Sequence, residues 1–152
     1  MSRIIEPEDI PEHLPEWIRD HMKEYVTSGG TKGHIWRGVP TLLLKTTGHK
    51  SGRTGVLPLI YGTTHSADGR EAWVVVASKG GAPAHPAWYL NLQAQPQATV
   101  QVGEHLVDVR ARTAEGGERA ELWQQMTGIW PAYDDYRKAT DREIPVVVLE
   151  RR

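Results

Sequence analysis

Apolar positions recur at three- and four-residue spacings over residues 11–27, where Leu14, Trp17, Ile18, Met22 and Tyr25 share a stripe with His21. Glu12, Arg19, Asp20, Lys23 and Glu24 fill the gaps. This pattern predicts an amphipathic helix that Ser28-Gly29-Gly30 ends. Residues 41–47 (TLLLKTT) and 55–62 (GVLPLIYG) then form two apolar, partly β-branched runs flanking Gly48-His49-Lys50-Ser51-Gly52-Arg53, read as two strands joined by a basic glycine turn. A third strand over residues 72–78 is almost continuously apolar and runs straight into a second basic turn, Lys79-Gly80-Gly81. A helix over residues 85–94 follows, opening near Pro86. Residues 98–102 and 106–112 alternate apolar and polar side chains across Gly103-Glu104-His105, a further hairpin. Residues 118–130 carry Leu122, Trp123, Met126, Ile129 and Trp130 on one helical stripe, and residues 144–149 close the chain as a β-branched strand.

Strands outnumber helices, and the helices fall between them irregularly, which favours an antiparallel β-barrel flanked by helices over a doubly wound sheet. With 152 residues and no linker-like stretch, one domain is expected overall: an N-terminal helix and linker over residues 1–30, then a barrel over residues 31–152. The formal net charge of −1 argues against a nucleic-acid binder, so any anion affinity has to be local. Cysteine is absent, which removes disulfides, thiolate metal sites and cysteine nucleophiles and suits a reducing compartment, the cytoplasm. No apolar run approaches the roughly 20 residues that span a bilayer. The mixed charges of the first helix favour core packing over membrane contact, although peripheral contact at the inner face of a membrane remains compatible with its amphipathic pattern.

Each basic turn offers cations next to unobstructed backbone N–H groups. His49, Lys50 and Arg53 with the Ser51 hydroxyl suit a phosphate or polycarboxylate, and Ser78, Lys79, Gly80 and Gly81 sit at a strand end ahead of a helix, where an anion is also favoured. Taken singly, either turn is equally a solvated loop; together they point to one elongated anionic ligand. Neither has the spacing of an ATP-binding loop or a Rossmann turn. Six Trp and five Tyr against no Phe favour rings with a hydrogen-bonding edge, suited to a planar polar ligand. Trp88, Tyr89, Trp130, Tyr133 and Tyr136 could line such a pocket, though Trp88 and Trp123 read better as core. On a helical turn Tyr133 and Tyr136 would face the same side, protonated at neutral pH and able to donate; a surface turn capped by Asp134 and Asp135 fits the same residues. Ser78 is a third donor. The seven histidines show no zinc-ligand spacing, so no metal is expected.

The strings Thr46-Thr47-Gly48-His49-Lys50-Ser51-Gly52-Arg53, Pro58-Leu59-x-Tyr61, Ala77-Ser78-Lys79-Gly80-Gly81 and Pro86-x-Trp88-Tyr89-Leu90-Asn91-Leu92 resemble the deazaflavin-dependent nitroreductase family. Tyr133-x-x-Tyr136, Thr140-Asp141-Arg142 and Ile144-Pro145-Val146 extend that resemblance to the C-terminus. It implies a split β-barrel of FMN-binding type that uses reduced coenzyme F420 to deliver hydride to quinones, activated enones or nitroaromatics, as a monomer or homodimer. By the same resemblance His49, Lys50, Ser51, Arg53, Pro58, Ala77, Ser78, Lys79, Gly80, Gly81, Trp88 and Tyr89 would bind cofactor. Trp130, Tyr133 and Tyr136 would line the substrate pocket, with Tyr133, Tyr136 or Ser78 assisting proton transfer. His49 stands where Arg is common, and Trp130 where some nitroreductases have Tyr; the larger indole should leave quinone and enone reduction intact and bicyclic nitroimidazole turnover weak or absent. An FMN enzyme of the same fold and a non-catalytic F420 carrier are the alternatives.

Overall fold

The computed structural model describes residues 5–152, so the first four residues of the N-terminal segment lie outside it. Helix α1 spans Glu16–Thr27, followed by strands β1 (Ile35–Trp36), β2 (Val39–Thr47), β3 (Thr54–Ile60), β4 (Gly62–His65) and β5 (Glu71–Val76). Then come α2 (Ala87–Ala94), the hairpin β6 (Gln97–Val102) and β7 (His105–Thr113), α3 (Gly116–Ile129), α4 (Ala132–Lys138) and β8 (Val146–Arg151). All pairings are antiparallel, in the order β1-β2-β6-β7-β8-β5-β4, with β3 on the free side of β2. The sheet is a split β-barrel with its helices outside; the sequence pattern predicts a barrel flanked by helices, and the family resemblance implies its split form.

The apolar runs of β5 and β8 are continuous because both strand faces are covered. Trp73, Val75 and Ala77 of the 72–78 run, with Val147 and Leu149, point into the barrel beside Leu42, Leu44, Trp88 and Val100. Ala72, Val74 and Val76, with Val146 and Val148, face Leu122, Trp123 and Met126 of α3 and Tyr133 of α4. On β2 the faces also divide: Leu43 turns away from the barrel interior to pack with Met22 and Tyr25 of α1.

The expected strand over residues 55–62 is broken at Tyr61. Residues 54–60 pair with β2, and the chain then turns a barrel corner so that Gly62–His65 pairs with β5. Glycine lets α3 pack closely at the corner: a Cβ on residue 62 would lie 2.8 Å from Met126 Sδ and 3.0 Å from Gln125 Nε2, so these side chains would have to shift. Three helices also begin away from their expected positions. Pro15 caps α1, so it starts at Glu16 rather than residue 11, α2 starts after Pro86, and α3 starts at Gly116 and stops before Trp130.

Helix α1 is bound into the barrel. The Tyr25 side chain is fully buried, and its hydroxyl accepts from Gly103 N (2.7 Å) while donating to Thr41 O (2.9 Å). Burial pushes the phenol up to about 12, so this bridge keeps its proton at any working pH. No helix among the described residues is long and apolar enough to cross a membrane.

Candidate active site

A cavity of about 400 Å3 opens where α1, the β2–β3 hairpin, the second basic turn and α4 meet. One wall is Trp17, Ile18 and His21 of α1 with Trp36 and Thr41; a second is Leu57, Pro58, Leu59 and Ile60 of β3. Ser78, Lys79 and Gly80 form a third, continued by Pro86 and Trp88, and Trp130, Tyr133 and Tyr136 close the fourth. Its volume falls in the usual range for ligand sites, about 300–1,000 Å3.

The second turn is shaped for an anion by its backbone. Ser78 is right-handed (φ −78°, ψ −38°) and is followed by left-handed Lys79 and Gly80 (φ 46° and 61°), and a right-handed residue followed by a left-handed one turns successive N–H groups into a concave nest. The helix expected to follow directly does not contribute, because five residues separate Gly81 from Ala87. Gly81 is required for a different reason: with φ at 82°, a Cβ there would lie 2.8 Å from Tyr136 O, so glycine lets the turn sit against α4. Arg142 then ties the turn from behind, its guanidinium donating to the carbonyl oxygens of Ala82 (2.8 Å), Ala77 (3.2 Å) and Ser78 (2.7 Å). It also donates to His85 Nδ1 at 3.0 Å, which requires that nitrogen to be unprotonated. Burial, reinforced by the Arg142 charge, lowers the His85 pKa below the ordinary histidine value.

Tyr133 and Tyr136 lie on α4, not on a surface turn, with their rings 6.1 Å apart at 75°. Tyr133 is buried, and desolvation first, then its neighbour Tyr136, raises its hydroxyl well above the ordinary phenol range. Neither hydroxyl, nor Ser78 Oγ, has a hydrogen-bond partner among the described residues, so three donors face the cavity uncommitted. Asp134 does not simply meet solvent; it accepts from Trp123 Nε1 at 3.0 Å and fixes α4 to α3. Trp123 is core, as the sequence suggested, whereas Trp88 is both core and cavity wall.

Other expected site residues are not brought to the cavity. The first turn caps the β2–β3 hairpin beyond the Thr47–Thr54 pair, three residues past Leu57 on the cavity rim, or about 10 Å along the strand. His49, Lys50, Ser51 and Arg53 are exposed there, and Lys50 and Arg53 make no ion pair among the described residues. Asn91 of α2 holds the turn, accepting from His49 N (3.0 Å) and His49 Nδ1 (2.6 Å) and donating to Thr46 Oγ1 (3.1 Å). Ser51 Oγ is taken by Arg53 N at 3.1 Å. Ala77 is fully buried behind the second turn. Tyr89 points away from the cavity, its hydroxyl 2.8 Å from Thr113 Oγ1, and supports Trp88 from the side with the rings 6.3 Å apart.

Sequence reasoning assigned no site role to Arg142, Asn91 or the α1 wall. Arg142 and Asn91 sit inside strings already singled out, but their partners lie up to 65 residues away and leave no local spacing to read. At the cavity mouth Trp36 stacks on Trp17 (6.0 Å, 13°) and leans on Trp130 (5.8 Å), with the Arg37 guanidinium 4.6 Å from the Trp36 ring centre. Three tryptophans from three separate segments thus form an arch.

Residues 17–151 match the family model described as F420H(2)-dependent quinone reductase. The chain belongs to that family. An F420H(2)-dependent quinone reductase of Mycobacterium tuberculosis is 39% identical over 139 residues, 89% of this chain and 90% of the relative. A solved F420-H2 dependent reductase is 40% identical, covering 77% of this chain and 98% of its own, with a TM-score of 0.63. Another solved structure, described as a domain-swapped dimer, is 38% identical over 89% of this chain and 98% of its own, at a TM-score of 0.65. The family is one of oxidoreductases whose cofactor is reduced coenzyme F420, and these relationships support that reading over an FMN enzyme or a non-catalytic carrier.

The residues present fit a deazaflavin. The apolar β3 residues and Trp88 in the cavity wall suit a planar ring, the Ser78–Lys79 nest suits the phosphate, and uncommitted cations further along suit a carboxylate tail.

Proposed function

We propose that this protein oxidises reduced F420 and reduces a quinone inside the cavity bounded by α1, β3, the second turn and α4. The observation that carries the reading is the joining of a cationic nest, formed at Ser78 and Lys79, to three uncommitted hydroxyls, those of Ser78, Tyr133 and Tyr136, in one enclosure. Lys79, with Lys50 and Arg53 at the hairpin tip, holds the phosphate and the glutamate tail; Pro58, Trp88 and Ser78 seat the ring. Bound F420, in its reduced form, supplies the hydride.

The chain's own part is orientation, charge stabilisation and proton handling. Hydride addition leaves negative charge on an acceptor oxygen, and a hydroxyl already aimed at that position stabilises it without reorganising. Tyr133 is suited to this: burial holds its proton firmly, making it a persistent donor but a poor acid. Tyr136, less buried than Tyr133, delivers the proton that completes reduction. The tryptophan arch excludes water from the ring while admitting a flat acceptor.

Trp130, braced against Trp36, narrows the substrate end, so flat quinones and small enones are reduced and bicyclic nitroimidazoles poorly. A homodimer is favoured by the domain-swapped relative, and a cytoplasmic setting by the absence of cysteine. Membrane contact, if made, rests on the exposed Trp17 and Ile35, because Met22 and Tyr25 of α1 are committed to the core. Steady-state turnover of menadione, cyclohexenone and a bicyclic nitroimidazole with reduced F420 tests the reading. Menadione and cyclohexenone turnover with little nitroimidazole reduction supports it, and fast nitroimidazole turnover refutes the role given to Trp130.

A further inference from the structure

Helix α1 turns His21 inward, on the stripe that carries Ile18, Met22 and Tyr25, and the imidazole becomes part of the cavity wall beside Trp17 and Ile18. The loop that follows the helix sets its orientation. His21 Nε2 lies 2.6 Å from Gly33 O, and since a carbonyl oxygen can only accept, Nε2 holds the proton. Cδ2 faces the same residue, because a Cβ on Gly33 would lie 3.3 Å from it. The Cδ2–Nε2 edge is therefore engaged by Gly33, and the opposite edge carries Nδ1, which in the neutral ring has a lone pair and no hydrogen. No side chain among the described residues donates to Nδ1. The nearby phenols are committed elsewhere, Tyr25 to Thr41 O and Gly103 N, and Tyr61 to His34 Nε2 at 2.7 Å. Nor is Nδ1 sealed in the core: among the described residues the one unpartnered side-chain polar atom shut off from accessible space is Thr41 Oγ1. His21 Nδ1 thus opens on the cavity that the residue lines.

The other polar side chains of the cavity have the opposite character. Four tryptophans each carry an indole N–H, Lys79 carries an ammonium, and Ser78, Tyr133 and Tyr136 carry hydroxyls. All of these can donate, whereas among the described side chains of the wall His21 Nδ1 alone can only accept. Quinone carbonyls suit the donors but offer nothing to Nδ1. A ligand that satisfies it brings an O–H or N–H of its own. In the reading given above, the second turn with Pro58 and Trp88 seats F420. His21 instead shares its wall with Trp17 and Trp36 of the arch at the mouth, the end that admits the acceptor. We propose that His21 Nδ1 accepts a hydrogen bond from the electron acceptor itself, selecting quinones with a neutral hydroxyl or amide on a ring substituent over quinones with alkyl substituents alone. This rests on the reading that the cavity takes a quinone beside F420.

The test is a calorimetric titration of the protein loaded with oxidised F420, which has no hydride to give. The two ligands are menadione and 2-hydroxymethyl-1,4-naphthoquinone, which adds one hydroxyl to menadione's methyl group. Wild type should bind the hydroxymethyl quinone about fivefold more tightly, the worth of one net hydrogen bond. In His21→Leu that preference should disappear. His21→Gln should keep it, since the amide donates to Gly33 O through Nε2 and still presents Oε1 to the cavity. Equal binding of the two quinones by wild type, a preference that survives in His21→Leu, or one that His21→Gln loses as fully would each overturn the proposal. Weaker F420 binding in His21→Leu, read by tryptophan fluorescence, would overturn it as well, because the donor would then belong to the cofactor. Failure of wild type to bind either quinone would instead overturn the quinone reading on which the proposal rests.

Discussion

The two basic turns are close in composition, each a lysine and a serine among glycines, yet the fold secures them to different degrees. The Gly48–Arg53 turn stands at a hairpin tip with its side chains in solvent and is fastened outward by one residue, Asn91. The Ser78-Lys79-Gly80-Gly81 turn is held on three sides: by left-handed backbone at Lys79 and Gly80, by close contact of Gly81 with α4, and by Arg142 across three carbonyl groups. A rigid nest defines position, while an exposed cationic tip mainly adds attraction. On the proposed function, the comparison assigns the placing of the cofactor to the second turn and the retention of its tail to the first.

Four variants break or sharpen that contrast. Arg142→Ala should have the largest effect, because it leaves the Ala77, Ser78 and Ala82 carbonyls short of a charged donor. A loss of about 3 kcal/mol in urea unfolding is expected, with F420 binding lost along with the turn. Lys79→Ala should keep the fold and weaken F420 about tenfold, the worth of one charge-assisted contact, as fluorescence titration would read. Lys50→Ala should weaken F420 less than Lys79→Ala, and its deficit should vanish by about 1 M salt, where screening shortens the reach of an exposed charge to about 3 Å. An equal, salt-insensitive loss at both lysines would abolish the distinction. Asn91→Ala should loosen the first turn alone, costing about 1 kcal/mol of stability while leaving kcat unchanged.

The smallest effect concerns pH. The folded pKa of His85 is lowered below its unfolded value of about 6.5, so the folded protein prefers the neutral imidazole that accepts from Arg142. That contribution is fully present above about pH 6.5 and is lost as pH falls through the lower folded pKa. Thermal melts of wild type should therefore drop below pH 6.5 more steeply than those of His85→Asn, and identical pH profiles would remove His85 from the support of the second turn.

Much of this organisation is legible in residue order. A continuous apolar run at 72–78 signals a strand covered on both faces, and the glycine turns announce themselves by composition. Tyr133 and Tyr136 reveal a shared face through their spacing, although only the packing of α4 against α3, through Asp134 and Trp123, fixes which way that face looks. Other features have no local signature. The corner at Tyr61 depends on how near α3 comes to Gly62, and β1 is two residues long, too short for any periodicity. The proton position on His21 is set by the Gly33 carbonyl, 12 residues on and invisible to spacing along α1. Trp17 and Ile18 read as a helix's packing stripe, whereas tertiary structure gives part of that stripe to the core and part to the cavity.

The most direct test of the account is a fluorescence titration of the purified protein with F420 and with FMN, repeated for Lys79→Ala. The account predicts that F420 binds more tightly than FMN, which lacks a glutamate tail to engage the hairpin tip, and that Lys79→Ala weakens F420 about tenfold. Tighter binding of FMN, or F420 affinity indifferent to Lys79, would contradict it.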